Sequence, residues 1–210
     1  MAAATAQNID PALWGPSAWS MLHYISFQSK SSVQELRDLF EDLKVLLPCA
    51  ACRRAYTNHL ELCPFPTQRR EVAKWLYRIH DRVNRSIQTP GMVDTPPFPD
   101  VQRAWRGTAG TDRANRDSWR FLFLLALAYP TPQEPERRAT YRDALTRWMK
   151  EVSVTLWKVE PRDTSLETKT RFTQWLKNKY AAVHGTQAPP SLTSVPRAAK
   201  ASCHQVCAAR

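Results

Sequence analysis

The sequence has little glycine and no long apolar run, and both absences narrow the possible folds. Only 5 of its 210 residues are glycine, which argues against a loop-dominated or all-β fold. The longest apolar stretch, residues 121–129, is far too short to span a bilayer. Residues 1–11 lack the charged start and apolar run of a secretory signal peptide. We therefore expect a soluble protein with no membrane segment and no recognisable targeting signal.

Cysteine is also too sparse for a dense disulfide framework. The chain carries five cysteines, arranged as two close pairs and a single residue: Cys49, Cys52, Cys63, Cys203 and Cys207. Small secreted domains that depend on disulfides use denser sets. This distribution favours cysteines that carry out redox chemistry or bind a metal.

Acidic residues are in the minority. The chain has 30 Lys and Arg against 19 Asp and Glu, a formal net charge of +11, which favours anionic partners. No recognisable DNA or RNA motif accompanies the charge, and the arginines are scattered through amphipathic segments. Nucleic-acid binding is therefore disfavoured, and part of the charge has an alternative use in holding a phosphate-bearing cofactor.

Apolar residues recur at helical spacing through the first half of the chain. The pattern predicts helices over 16–29, 32–46, 49–62 and 68–88. Pro16 suits the first turn of the first helix, and Pro48 separates the second helix from the third. Four helices with short connections are typical of a helical bundle.

The second half predicts more helices and a tail. Residues 89–99 are proline-rich and read as a connector to a short fifth helix near 101–106. Residues 108–115 are polar, with glycine-containing turns, and form a candidate boundary. Further helices are expected over 117–128, 133–157 and 164–183.

The expected fold is all-α, with a four-helix bundle core, a short fifth helix and an additional C-terminal helical region. The predicted units are an N-terminal arm (1–11), the bundle (12–107), a second helical region (116–184) and a flexible tail (185–210), whose composition is rich in Ala, Pro and Ser.

Cys49 and Cys52 are the first candidate functional residues. Two thiols separated by two residues can close a small disulfide with little backbone movement. Pro48 suits a helix start, which places Cys49 where unpaired N–H groups and the helix dipole favour a thiolate. A lowered pKa would make Cys49 the better site for exchange with an outside thiol.

Other interpretations of this segment stay open from spacing alone. Cys49, Cys52, His59 and Cys63 are a possible zinc ligand set, although a continuous helix would point His59 away from at least one thiol. Two inert buried thiols are a second alternative. A thioredoxin-like site is disfavoured because no strand pattern precedes the pair.

Two helical faces offer aromatic and polar groups to a planar ligand. Trp19 and His23 are four residues apart, as are His80 and Asn84, so each pair lies on one face of its helix. Together the two faces could enclose a planar aromatic cofactor, with Trp19 stacking on it and the other side chains bonding its polar edges.

Three motifs resemble those of the Erv/ALR sulfhydryl oxidases. Residues 15–23 look like that family's Gly-x-x-x-Trp-x-x-Leu-His entry helix, residues 48–52 like its Pro-Cys-x-x-Cys centre, and residues 75–84 like its Trp-Leu-x-x-x-His-Asn-x-Val-Asn helix. They occur in the family's order and cover about residues 12–106. Residues 119–130 are similar to a segment of the enlarged members from large DNA viruses and some protists.

The resemblance implies an FAD-dependent thiol oxidase. Electrons would pass from a substrate dithiol to the Cys49–Cys52 disulfide, then to FAD and to molecular oxygen, giving hydrogen peroxide. Cys52 would face the flavin and Cys49 would accept incoming thiols. The residues expected at the cofactor are Gly15, Trp19, His23, Tyr56, His80, Val83, Asn84, Arg85 and Trp105. A thiol-containing protein substrate and a homodimer are further expectations from the family.

The sequence departs from the family pattern in three places. Asp81 follows His80 where the family often has Asn, and Thr89 replaces a lysine, for which Arg82 and Arg85 are possible substitutes. A structural disulfide found in many members has no counterpart, because no cysteine follows His80 until Cys203.

The tail pair Cys203 and Cys207 is a candidate shuttle that relays electrons from substrate to the central disulfide, and two exposed thiols without a role are the alternative. Cys63 is expected to be a free, partly buried thiol, with an intersubunit disulfide as the alternative.

Two other functions are possible from the sequence: a helical zinc- or nucleic-acid-binding adaptor, and an inactive scaffold of oxidase ancestry. The compartment is open between an intermembrane space, a secretory lumen and a viral assembly site.

Overall fold

A computed structural model describes residues 9–87, 95–157 and 163–190. Within these ranges the chain is mostly helical and has no strand, which confirms the all-α prediction. None of the helices in the described part of the chain is long and apolar enough to cross a membrane.

The described residues contain nine α-helices. In chain order they are α1 (Pro11–Gln28), α2 (Val33–Glu41), α3 (Leu43–Leu46), α4 (Ala50–Leu62), α5 (Val72–Ser86), α6 (Phe98–Arg106), α7 (Thr108–Leu127), α8 (Pro135–Val152) and α9 (Lys169–His184). A 3-10 turn, Arg69–Glu71, leads into α5, and α8 continues into a π-helical turn, Ser153–Trp157.

Helix α1 begins earlier than the sequence predicts. The Asp10 side chain caps it by accepting a hydrogen bond from the Ala12 N–H at 2.9 Å, and Pro11 occupies the first turn. Pro16, expected in that first turn, lies inside the helix instead. An interior proline removes one backbone hydrogen bond, so packing around α1 must offset that loss.

The predicted helix over 32–46 is divided at Asp42. A capping box between Ser32 and Glu35 starts α2, and the chain turns at Asp42 before α3. The buried Asp42 carboxylate accepts two hydrogen bonds from Arg147 of α8, at 2.9 and 2.5 Å. This bidentate pair ties the α2–α3 bend to the C-terminal half of the chain.

Residues 108–115, expected as a polar boundary, are the first turns of α7. Helix α7 packs along α1: Arg120 Nε donates to the Leu13 carbonyl at 2.9 Å, and the Phe121 ring centroid lies 6.3 Å from that of Trp14. The Trp148 Nε1–H of α8 likewise donates to the Leu39 carbonyl at 2.9 Å. Residues 116–157 therefore share one hydrophobic core with the bundle.

Gly110 lets α7 approach α6 closely. A β-carbon at this position would lie 2.6 Å from the Ala104 carbonyl oxygen and 3.0 Å from Trp105 Cα, so only glycine fits without movement. The contact sets the distance between α7 and the backbone around Trp105.

Gly110→Ala should therefore lower the free energy of unfolding by about 1–3 kcal/mol, because the helices must separate to admit the methyl group. Gly15→Ala in α1 is the matched control, because nothing lies within 4 Å of the position that the added methyl group would occupy. That change should raise stability by about 0.5–1 kcal/mol through helix propensity. Chemical denaturation measures the free energy of unfolding of each variant. Equal effects of the two substitutions would contradict the close approach of α7 to α6 at Gly110.

Candidate functional site

Cys49 and Cys52 form a disulfide at the start of α4. Cys49 is the N-cap residue, as predicted, and its Cα lies 5.1 Å from that of Cys52. The Cys52 backbone N–H points at Cys49 Sγ, 3.2 Å away. When the bond is reduced, this N–H and the positive end of the helix would stabilise a thiolate at Cys49.

Two hydrogen bonds to backbone carbonyls hold the chain just before the disulfide. The Ile9 N–H donates to the Pro48 carbonyl at 3.0 Å, and Arg53 Nη1 donates to the Leu47 carbonyl at 2.7 Å. Cys49 is 9% exposed and belongs to the main core, whereas Cys52 is partly exposed and packs against that core.

His23 of α1 and His80 of α5 form a buried hydrogen-bonded pair. His23 Nε2 and His80 Nδ1 are 2.8 Å apart, and the residues are 1% and 3% exposed. Burial lowers the pKa of His23 to about 3, and burial together with His23 holds the pKa of His80 well below its usual range. Both imidazoles are therefore neutral near pH 7.

A neutral pair of this kind leaves one donor and one acceptor free. If His23 donates, His23 Nδ1 is an open acceptor and His80 Nε2 an open donor; if His80 donates, the two roles exchange. In either case neither outer nitrogen has a hydrogen-bond partner among the described residues, although both are buried. The pair therefore presents complementary hydrogen-bonding groups to a further molecule.

Two tryptophans complete this cluster, which we call the His–Trp cluster (Trp19, His23, His80 and Trp105). The Trp19 ring stacks on His80 at 3.8 Å and 10°, and Trp105 of α6 stacks beside His23 at 5.9 Å and 15°. The structure thus brings together four of the predicted cofactor residues from three helices. Trp19, expected to stack on a cofactor, here stacks on His80.

Asn84 lies one helical turn beyond His80 and is also buried. Within the described residues, its Nδ2 and the Trp105 Nε1 have no hydrogen-bond partner. An unpartnered buried polar group costs about 1–3 kcal/mol, so four such atoms indicate a binding site rather than a packed core. A flavin fits this donor set, because its ring edge carries carbonyl and nitrogen acceptors as well as an N–H donor.

The other predicted cofactor residues are less closely joined to the cluster. Tyr56 is buried, and its hydroxyl donates to the Phe40 carbonyl at 3.1 Å. Gly15 and Val83 are partly exposed on the helices that carry the cluster. Arg85 points outward, with its side chain 72% exposed and paired with Asp81 at 2.9 Å.

Predicted residues outside this region have other surroundings. Cys63 is a free, half-buried thiol at the end of α4, as the sequence predicts. No three metal-binding side chains come together among the described residues, so the zinc interpretation gains no support. Thr89, Cys203 and Cys207 lie outside the described residues.

The buried histidine pair predicts a stability loss in mild acid. Because folding depresses both pKa values, the unfolded chain binds more protons as the pH falls below about 6.5, at a cost of about 1.4 kcal/mol per pH unit for each histidine. His80→Gln should remove about half of this pH dependence. Chemical denaturation of the wild type and His80→Gln at a series of pH values between neutral and mildly acidic measures this pH dependence. If the free energy of unfolding falls equally steeply with pH in both proteins, the neutral pair is excluded.

Comparison with known proteins gives consistent matches. The Erv1 / Alr family model matches residues 16–106. A protein of invertebrate iridescent virus 3, named as an FAD-linked sulfhydryl oxidase, is 27% identical over 110 residues, covering 49% of this chain and 74% of that protein. One of Acanthamoeba polyphaga mimivirus with the same type of name is 24% identical over 123 residues, covering 54% of this chain and 83% of that protein.

The mitochondrial FAD-linked sulfhydryl oxidase of Saccharomyces cerevisiae is 24% identical over 95 residues, covering 41% of this chain and 50% of that protein. No solved structure gives a significant match. The matched segment contains the Cys49–Cys52 disulfide and the whole His–Trp cluster, so the site lies in the part of the chain that is similar to the Erv1 / Alr family.

Proposed function

We propose that this protein is an FAD-dependent thiol oxidase. The observation that carries the proposal is the disulfide at the start of α4, in a bundle that also holds a His–Trp cluster with unpartnered buried polar atoms. A redox-active disulfide needs an electron acceptor, and the relatives are named FAD-linked sulfhydryl oxidases. Both halves of the site therefore point to the same chemistry.

The residues that would hold FAD are those with free hydrogen-bonding atoms. His23 Nδ1, His80 Nε2, Asn84 Nδ2 and Trp105 Nε1 would bond the polar edges of the cofactor. One face of Trp19 stacks on His80, and the opposite face would cover the cofactor ring. Gly15 and Val83, on the same helices, would line it. The chemistry that bound FAD supplies is acceptance of two electrons and their delivery to oxygen, giving hydrogen peroxide.

The chain's own part of the reaction is thiol–disulfide exchange. A substrate thiolate attacks one sulfur of the Cys49–Cys52 bond and releases the other as a thiolate. The second substrate thiol then resolves the mixed disulfide. The substrate leaves as a disulfide, and the two cysteines hold the two electrons and the protons that it lost.

The proposed division of labour assigns Cys49 to the substrate and Cys52 to the flavin. Cys52 is the more exposed of the two residues, whereas the Cys52 N–H stabilises a thiolate at Cys49, the form that exchanges with an outside thiol.

Trapping a mixed disulfide tests these roles. If Cys49 is the cysteine that exchanges with outside thiols, the Cys52→Ser variant treated with a small symmetric disulfide should form a stable mixed disulfide at Cys49 and release one reagent thiol, and Cys49→Ser should form little. Mass spectrometry of the adducts measures both. Preferential labelling of Cys52 in the Cys49→Ser variant would reverse the assignment.

Oxygen consumption with dithiothreitol tests the proposed function as a whole. Cys49→Ser and Cys52→Ser should each abolish turnover, since neither variant can form the disulfide, while both keep their bound flavin. Cys63→Ser is the matched control and should keep wild-type turnover, because Cys63 is a free thiol away from the disulfide. Undiminished oxygen consumption in either of the first two variants would refute the proposal.

We further propose that the natural substrate is a protein thiol, that Cys203 and Cys207 relay its electrons, and that the enzyme is a homodimer. A tethered dithiol reaches a nearby site at high effective concentration. The Cys203→Ser, Cys207→Ser double variant should lose activity on a reduced protein substrate but keep activity on dithiothreitol. Unchanged oxidation of the protein substrate would exclude the relay.

A further inference from the structure

Trp105 is enclosed by α7 as well as by the helices of the matched segment. Gly110 brings α7 against the Trp105 backbone, and Ala114, one turn later, is buried against the Trp105 side chain. Arg113, on the turn between them, places its guanidinium 5.5 Å from the centre of the Trp105 ring. A cation in this position is held to the aromatic ring by a cation–π interaction.

The diphosphate of FAD needs positive charge near the cluster, and Arg85 of α5 and Arg103 of α6 are poorly placed to supply it. Arg85 pairs with Asp81 at 2.9 Å and Arg103 with Asp100 at 3.2 Å, with side chains 72% and 79% exposed. Each of these charges is largely compensated by its carboxylate and faces solvent.

Arg113 differs from these arginines in both respects. Its side chain is partly buried, and no carboxylate in the described part of the chain lies within ion-pairing distance of its guanidinium. Asp117, one turn further along α7, interacts electrostatically with Arg116, Arg113 and Arg120. Because Asp117 is shared among three arginines, it compensates the charge of Arg113 beside Trp105 only in part.

We propose that Arg113 binds the diphosphate of FAD, so that the second helical region completes the cofactor site. The proposal rests on the proposed function above and deepens it. The guanidinium would form charge-assisted hydrogen bonds to phosphate oxygens while its stem stays packed on Trp105. Because α7 lies beyond residues 16–106, this contact is a feature of this chain that the matched segment does not contain.

Titration of the apoprotein with FAD, followed by flavin fluorescence, measures how much Arg113 contributes to FAD binding. Arg113→Ala should weaken FAD binding by about tenfold or more, the range of a lost charge-assisted contact. Arg113→Lys keeps the charge without the planar fork and should recover part of the affinity. The loss in Arg113→Ala should shrink at high salt, since screening weakens the same interaction in the wild type.

Arg116→Ala is the matched control, because it removes the same charge from an exposed position on the same helix. It should change the FAD dissociation constant by less than about twofold. Thermal unfolding of each apoprotein separates binding from folding, and the Arg113→Ala midpoint should stay close to that of the wild type.

Three results would overturn the inference. Arg113→Ala could bind FAD as tightly as the wild type, or Arg113→Ala and Arg116→Ala could lose equal affinity. Arg113→Ala could also lose affinity only because its apoprotein unfolds at a lower temperature. All three presuppose that the wild type binds FAD. A wild-type protein that binds none would instead refute the proposed function itself.

Discussion

The hydrogen bond between His23 and His80 fixes the centre of the molecule. It joins α1 to α5 and leaves one free donor and one free acceptor on the outer nitrogens, while burial keeps both rings neutral. Trp19 and Trp105 pack against these two rings, so the positions of α1, α5 and α6 all depend on the pair. The Cys49–Cys52 disulfide lies at the start of a fourth helix in the same bundle.

Much of this arrangement could be predicted because its signals are local. A four-residue spacing places Trp19 with His23 and His80 with Asn84 on single helical faces, and Pro48 marks the helix start that Cys49 caps. Alternation of apolar segments with proline and polar turns indicated the helices themselves. What local spacing could not show was that Trp19 stacks directly on His80, because that contact joins residues far apart in the chain.

The errors arose where distant packing decides the local structure. Pro16 lies inside α1 because Asp10 and Pro11 form the actual helix start and α7 covers the helix side. Residues 108–115 form the first turns of α7, where Gly110 permits a close approach to Trp105 and makes no turn. The bend at Asp42 depends on Arg147, which the sequence places 105 residues away. Arg113 was missed for the same reason: nothing near it in sequence marks Trp105 as its neighbour.

The central claim is that the disulfide and the His–Trp cluster form one electron-transfer unit around a flavin. The absorbance spectrum of the purified protein, recorded without oxygen before and after addition of a dithiol, tests it most directly. The account predicts a yellow protein whose flavin absorbance is bleached by the dithiol and restored by air, and whose cofactor is released as FAD on denaturation. A colourless protein, or a flavin band that the dithiol leaves unchanged, would contradict it.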